Sequence, residues 1–473
     1  MPRYFVTLIV AVALFMETMD STVIATSLPA IAADLGEDPI ALKLAITSYL
    51  LSLAVFIPVS GWMADRFGAR TVFRMAIVVF TTGSAACGFS ESLFDFVLFR
   101  ILQGMGGAMM VPVGRLVILR SVPKAELISA LAWLTIPALM GPVLGPPLGG
   151  FITTMFDWRW IFWINIPIGL LGFLLATRYI ENFREENVPP LDIKGFFLSG
   201  IGLAGVAFGF TTIGQGLFPT EVVAGLIAVG ITSCWLYVRH ARKTPSPLLD
   251  LNLLKIDTFY ASIVGGFLFR IGVGASPFLL PLFLQLGFGM TPLQSGMLTF
   301  ATAVGAIAMK TTAAPILRRV GFKRVLVWNA AISALFIAAA SLFTAATPSA
   351  VIMAVLLVGG FFRSLEFTAV NSLAYADIDD TEMSKATSFA SVGQQLSMSA
   401  GVAVGALVLD FERMGRDTQD VLASDFPAAF LVVAAFAASS ALVFMRLPKT
   451  AGSSLASRAR PVGETQENTA EQD

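Results

Sequence analysis

Gly141-Pro-Val-Leu-Gly145-Pro-Pro-Leu-Gly149-Gly150 lies inside an apolar run, roughly residues 127–151, long enough to cross a bilayer. Three prolines and four glycines in ten positions would break a helix in water. A helix in lipid tolerates them when neighbouring helices satisfy the freed backbone groups. The stretch therefore predicts a bent membrane helix with a bare face, packed very closely against a partner.

Working outward, the whole chain reads the same way. Its 473 residues are 56% hydrophobic and 13% charged, with a mean hydropathy of +0.79, which places it among polytopic membrane proteins. Thirty-one basic residues balance thirty-one acidic ones, so net charge gives no reason to expect a nucleic-acid partner. Cys87 and Cys234 fall in apolar segments and read as small buried hydrophobes rather than a disulfide or metal pair. The single histidine, His240, sits among Arg239, Arg242 and Lys243, as an interfacial residue would. Near the N-terminus, Arg3, an apolar run and Ala30-Ile31-Ala32 superficially resemble a secretion signal. Glu17 and Asp20 interrupt that run, so residues 4–29 are read as a retained first span.

At about 20 apolar residues per crossing, fourteen spans are expected: 4–28, 42–64, 71–90, 93–119, 127–151, 158–180, 193–214, 220–238, 257–284, 291–316, 323–345, 348–374, 384–409 and 427–446. With the N-terminus inside, 23 lysines and arginines fall on the cytoplasmic side and four outside (Lys43, Arg159, Arg413, Arg416); four more are embedded (Arg100, Arg270, Lys310, Arg363). That asymmetry predicts both termini in the cytoplasm.

The chain also repeats. Asp65-Arg-Phe-Gly68-Ala-Arg70 matches Arg318-Arg-Val-Gly321-Phe-Lys323, Phe99-Arg100-Ile-Leu-Gln103 matches Phe362-Arg363-Ser-Leu-Glu366, and Leu14-Phe15-Met16 matches Leu268-Phe269-Arg270, in the same order at offsets of 253, 263 and 254. Two related six-helix halves are expected, residues 1–180 and 257–446, around an inserted pair of helices in 181–256. Transporters built from such repeats place substrate between them near the midplane. Residues 447–473 read as a disordered cytoplasmic tail.

Glu17 and Asp20, three apart, share a face of the first span. Two carboxylates in a poorly solvated place repel, and holding a proton relieves them. Arg100 costs at least about 2.5–3.5 kcal/mol near mid-span and so needs a cavity or an acidic partner. Arg270 and Arg363 lie near mid-span in the second half, with Glu366 one turn beyond Arg363. They are expected in a substrate cavity, where arginine can grip a carboxylate. Salt bridges to Glu366 and the first-span acids would equally account for them. Lys310 is nearer a helix end and can snorkel.

Gly141–Gly150 resembles the antiporter motif of the major facilitator superfamily, Gly-x3-Gly-Pro-x2-Gly, carried here by Gly141, Pro142, Gly145, Pro146 and Gly149. Gly61-Trp-Met-Ala-Asp65-Arg66-Phe-Gly68-Ala-Arg70 resembles that family's loop motif, with Ala69 where a basic residue is usual. Arg100-Ile-Leu-Gln103-Gly104-Met-Gly106-Gly107-Ala108 resembles its fourth-helix motif. Asp20-Ser-Thr22 through Leu28-Pro29 resembles the first-helix motif of the fourteen-helix drug:proton antiporters, with Ala25 replacing an asparagine. Asp157-Trp-Arg-Trp160 through Gly169 resembles the sixth-helix pattern of the EmrB/QacA-type branch; its aromatics read as interfacial anchors. Gly104 to Gly114 and the ninth to thirteenth spans look similar to the MdtD-like subgroup of multidrug exporters.

The resemblance implies an all-α major facilitator fold of fourteen transmembrane helices, two pseudo-symmetric six-helix bundles plus two inserted helices. It implies a proton-coupled efflux antiporter of the bacterial inner membrane, exporting small amphipathic molecules by alternating access. Glu17, Asp20 and Arg100 would couple protons. Gly61, Asp65, Arg66, Gly68 and Arg70 would form a cytoplasmic gate, and the glycine–proline helix would limit leak. An exporter of citrate-like carboxylates or their metal chelates is the alternative. No cofactor, resident metal or nucleic acid is expected, and the partners are substrate, protons and lipid, with the protein monomeric. An enzyme is not expected: no nucleophile–base constellation is present.

Overall fold

The computed structural model describes residues 5–122, 127–185, 188, 190–213, 218–379, 382–414, 416 and 420–452, with backbone alone at 127–133 and 135–139. The tail expected to be disordered lies, beyond residue 452, outside the described residues. The helices are α1 (Phe5–Val23), α2 (Leu28–Leu35), α3 (Lys43–Phe67), α4 (Ala69–Cys87), α5 (Leu93–Ser121), α6 (Leu127–Met155), α7 (Trp160–Trp163), α8 (Asn165–Tyr179), α9 (Ile193–Thr212), α10 (Thr220–Ala241), α11 (Asp257–Leu282), α12 (Pro292–Val320), α13 (Phe322–Ala339), α14 (Ser349–Leu373), α15 (Met383–Arg413) and α16 (Phe426–Phe444). No strand occurs among the described residues.

Among the described residues, twelve helices are long and apolar enough to cross a membrane. Helices α4 and α6 occupy the third and fifth expected windows but are not among the twelve. A count of fourteen crossings depends on those two. Large apolar side chains such as Phe94, Leu170, Trp328 and Leu342 remain exposed around the outside. In water so many would be an aggregation hazard; against lipid they are the required surface.

The packing pattern of α1–α8 recurs in α11–α16. In the first set α1 packs on α6 and α8, α3 and α4 pack on α5, and α4 packs on α8. In the second, α11 packs on α15 and α16, α12 and α13 pack on α14, and α13 packs on α16. The α3–α4 and α12–α13 turns also share a backbone. Gly68 (φ +94°, ψ 135°) and Gly321 (φ +85°, ψ 149°) each end one helix and begin the next. Only glycine adopts that conformation without strain, which accounts for a glycine at both positions of the 253-residue offset.

The two sets meet along α6–α12 and α3–α15. At one end polar bonds tie them. Lys43 pairs with Asp410 (3.0 Å) and Arg413 with Asp38 (2.6 Å). The Gln285 amide donates to the Thr26 carbonyl (2.9 Å), and the Leu293 N–H to Thr154 Oγ1 (3.1 Å). Arg159 pairs with Asp34 and Arg416 with Asp425 at the same end. All four basic residues expected outside are thus paired with carboxylates. Helices α9 and α10 pack on each other and reach the rest through α3 and α15, with His240 bonded to Asp192 (2.7 Å).

Candidate functional site

The glycine–proline stretch is part of one continuous helix, α6, held between α1 and α12. Gly141, Gly145 and Gly149, four apart, put one bare stripe against α1. A Cβ at these positions would collide with Thr18, with Thr22, and with Val23 and Thr26, respectively. Thr22 and Thr26 hydroxyls donate to the Gly141 and Pro146 carbonyls (3.3 and 3.4 Å). The opposite face meets the second set just as closely. A Cβ at Gly150 would strike the Pro292 carbonyl, and one at Gly296 on α12 the Pro146 carbonyl. The sequence predicted one close partner; the structure supplies two.

On α1, interleaved with the residues of that contact, lies a buried polar network. Asp20 is fully buried; its Oδ2 accepts from Arg100 Nη1 (2.7 Å) and its Oδ1 from Asn165 Nδ2 (2.8 Å). Arg100, 1% exposed, also donates to Gln103 Oε1 (2.6 Å) and the Ala45 carbonyl (3.2 Å), and its guanidinium stacks 4.3 Å from the Tyr49 ring centroid. The Tyr49 hydroxyl donates to Glu17 Oε1 (3.1 Å). Asn165 bonds Ser84 (2.9 Å), whose hydroxyl donates to the Phe162 carbonyl (2.9 Å). Five helices, α1, α3, α4, α5 and α8, therefore converge on one carboxylate–guanidinium pair. The small residues of α5 make room: a Cβ at Gly107 would lie 3.0 Å from the Tyr49 hydroxyl and 3.6 Å from Glu17 Cγ.

Glu17, Asp20 and Arg100 are brought together as the sequence predicts. Tyr49, Ser84 and Asn165 were missed. Asn165 carries a usable signal, being an amide inside an apolar span. Tyr49 and Ser84 carried none, since hydroxyls are ordinary in such helices.

At the α3–α4 turn the charge network reaches beyond the residues of the loop motif. Asp65 pairs with Arg120 (3.2 Å), which also grips Glu185 (2.7 Å). Arg70 instead reaches the Ile180 carbonyl (3.5 Å), and Arg66 is exposed. The network is thus closed by the ends of α5 and the segment after α8, neither adjacent in sequence. That segment lies on the turn: the Glu185 N–H donates to the Asp65 carbonyl and the Ala69 N–H to the Phe183 carbonyl. The Asn182 side chain occupies the space a Gly68 side chain would need. A Cβ at Gly61 would meet open space.

Arg270, Arg363 and Glu366 do not converge on one another. Arg270 donates to Asn371 Oδ1 (2.7 Å) and lies 4.9 Å from the Phe367 ring centroid. Arg363 lines a small cavity with Ser276, Phe336 and Phe430, enclosed by α11, α13, α14 and α16. Glu366 is fully buried on the α13 side, accepting from Asn329 Nδ2 (2.8 Å). Salt bridges to Glu366 do not consume the arginine charge among the described residues. Glu366 Oε1, Asn329 Oδ1 and Arg270 Nε stay buried there without a hydrogen bond. Lys310 donates to Thr368 Oγ1 (2.9 Å). No cluster of three metal-ligating side chains occurs among the described residues.

Repeated helix sets, a lipid-facing exterior and a charged network buried inside one set define a polytopic helical membrane transporter. The family model of the Major Facilitator Superfamily matches residues 10–245 and 262–468, and the chain belongs to that family. It is 38% identical over 459 residues to "Putative multidrug resistance protein MdtD" of Klebsiella pneumoniae subsp. pneumoniae, covering 96% of each chain. A protein of the same name from Salmonella heidelberg is 38% identical over 448 residues, covering 93% of this chain and 94% of its own. The crystal structure of a D-xylose-proton symporter superposes with TM-score 0.68 at 15% identity, covering 95% of this chain and 99% of its own. The human organic anion transporter MFSD10 superposes with TM-score 0.60 at 14% identity, covering 94% and 100%. At those identities the structures establish the shared fold alone.

Proposed function

We propose that this chain is a proton-coupled efflux antiporter for small amphipathic molecules, working by alternating access between residues 1–180 and 257–446. On this reading there are fourteen crossings, with α4 and α6 among them, both termini are cytoplasmic, and the protein is a monomer of the bacterial inner membrane. One observation carries it. Helix α1 bears both the Glu17/Asp20 network and the threonines locked into α6, and α6 bears on α12 across the boundary between the sets. A proton arriving at Asp20 weakens its pairing with Arg100, and α1 has no slack against α6 in which to absorb the change. The displacement passes to the contact that must slide when the halves rock. The Asp65–Arg120–Glu185 cluster would act as the gate, and the names of the 38%-identical relatives support multidrug efflux.

The test is counterflow in proteoliposomes under an imposed pH gradient, with a lipophilic cation as substrate. Wild type moves protons against substrate; Asp20→Asn with Glu17→Gln binds substrate but no longer couples it to the gradient. Intact coupling in that double variant refutes the assignment. A second reading, export of organic anions such as citrate-like carboxylates or their chelates, draws on Arg270, buried, and Arg363, partly buried, two arginines without a carboxylate partner among the described residues. Competition by a tricarboxylate but not by a lipophilic cation would favour it.

A further inference from the structure

We propose that the junction of α12, α13 and α16 is a binding site for an acidic phospholipid, its phosphate held by Lys323, Arg324 and Lys449 and an acyl chain laid along α13. These three cations line one cavity with Val327, Trp328 and Met445. None of the three forms an ion pair with a carboxylate among the described residues; Lys323 Nζ is anchored on the Leu447 carbonyl. Other cations of this chain do find carboxylates. At the opposite end Lys43, Arg159, Arg413 and Arg416 each hold a carboxylate.

Membrane topology needs only positive charge in a loop; it does not need a cavity or an aromatic wall beside it. Here the cavity opens onto an apolar track. Trp328 is 70% exposed and Leu335 67%, seven apart and so on one side of α13, and Leu342, 79% exposed, lies in the short turn just beyond its end. Cations at the mouth select an anionic head group, as basic pockets at membrane interfaces do. The track selects a lipid over a free anion, because inorganic phosphate has nothing to lay against it. Trp328 sits where the two meet, the position an interfacial indole favours.

The experiment is native mass spectrometry of the full-length protein in neutral detergent, titrated with phosphatidylglycerol, phosphatidylcholine or inorganic phosphate. Wild type retains phosphatidylglycerol and discriminates against phosphatidylcholine. Lys323→Gln/Arg324→Gln/Lys449→Gln lowers phosphatidylglycerol affinity on the order of 100-fold, each basic residue near an anionic surface supplying roughly a factor of five. Trp328→Ala lowers it several-fold. The charge-keeping variant Lys323→Arg/Arg324→Lys/Lys449→Arg retains binding, which separates lost charge from lost folding. Arg242→Gln/Lys243→Gln, at the exposed basic end of α10, leaves binding unchanged. Equal loss in that control, loss in the charge-keeping variant, equal binding of phosphatidylcholine, or full displacement by inorganic phosphate would each overturn the proposal.

Discussion

Replacing Arg100 by glutamine tests the network most directly. The guanidinium is 1% exposed, and Asp20 beneath it is wholly buried. The substitution removes the 2.7 Å pairing with Asp20, the bond to the Ala45 carbonyl and the stacking on Tyr49, leaving Asp20 with only the Asn165 amide. Removing one partner of a buried pair costs roughly 3–5 kcal/mol, because the other charge stays desolvated and uncompensated, whereas replacing both is close to neutral. Arg100→Gln should therefore destabilise by about 3–5 kcal/mol. Asp20→Asn should fall near the low end of that range, since Arg100 keeps Gln103 and the Ala45 carbonyl. The double variant should cost well under their sum, with a coupling of roughly 2 kcal/mol or more. Equilibrium unfolding in mixed micelles measures all three. Additivity within about 0.5 kcal/mol would show that the two charges do not depend on each other, and the mechanism built on their pairing would fail with it.

Gly141→Ala drives a methyl into Thr18 and the Met19 backbone, so a loss of about 1–3 kcal/mol and an increased proton leak in liposomes are expected. Gly61→Ala, which meets open space, should change stability by no more than about 0.5 kcal/mol in the same assay. Lys43→Asp should loosen the end where the sets are tied, seen as faster labelling of a cysteine at position 290, and Lys43→Asp with Asp410→Lys should restore wild-type labelling. Asp250, in the segment between α10 and α11, is held below the ordinary carboxylate range: burial pushes the other way, but the Asn252 backbone N–H, Lys385 and the Asn252 amide outweigh it. A depressed carboxylate contributes stability that is complete above its unfolded value, near 4, and lost as pH falls through the lower folded one. Thermal stability should therefore fall on acidification below about pH 4, and Asp250→Asn should show a smaller fall over that window.

The helices were legible because their signals are local. Apolar runs, each turn glycine and the antiporter-like stretch depend on residues within a few turns of one another. Buried charge was legible too: Glu17, Asp20 and Arg100 stand out because an ionisable group inside an apolar span needs a reason to be there. The choice of partner was not legible. Asp65 turned to Arg120 rather than to Arg66 or Arg70, and Arg270, Arg363 and Glu366 went to three different neighbours.

By itself, then, the sequence determined an all-helical membrane chain with an internal repeat, a glycine face seeking a partner and acids that must be compensated. Only the tertiary structure decided that the face has two partners, α1 and α12, and that Tyr49, Ser84 and Asn165 complete the acid site. It also decided that Lys43 and Asp38 reach 367 and 375 residues along the chain for their counter-charges. Periodicity and desolvation act on each segment alone and can be read from it. Pairing is settled by which helices lie side by side, and that depends on the packing of all of them at once.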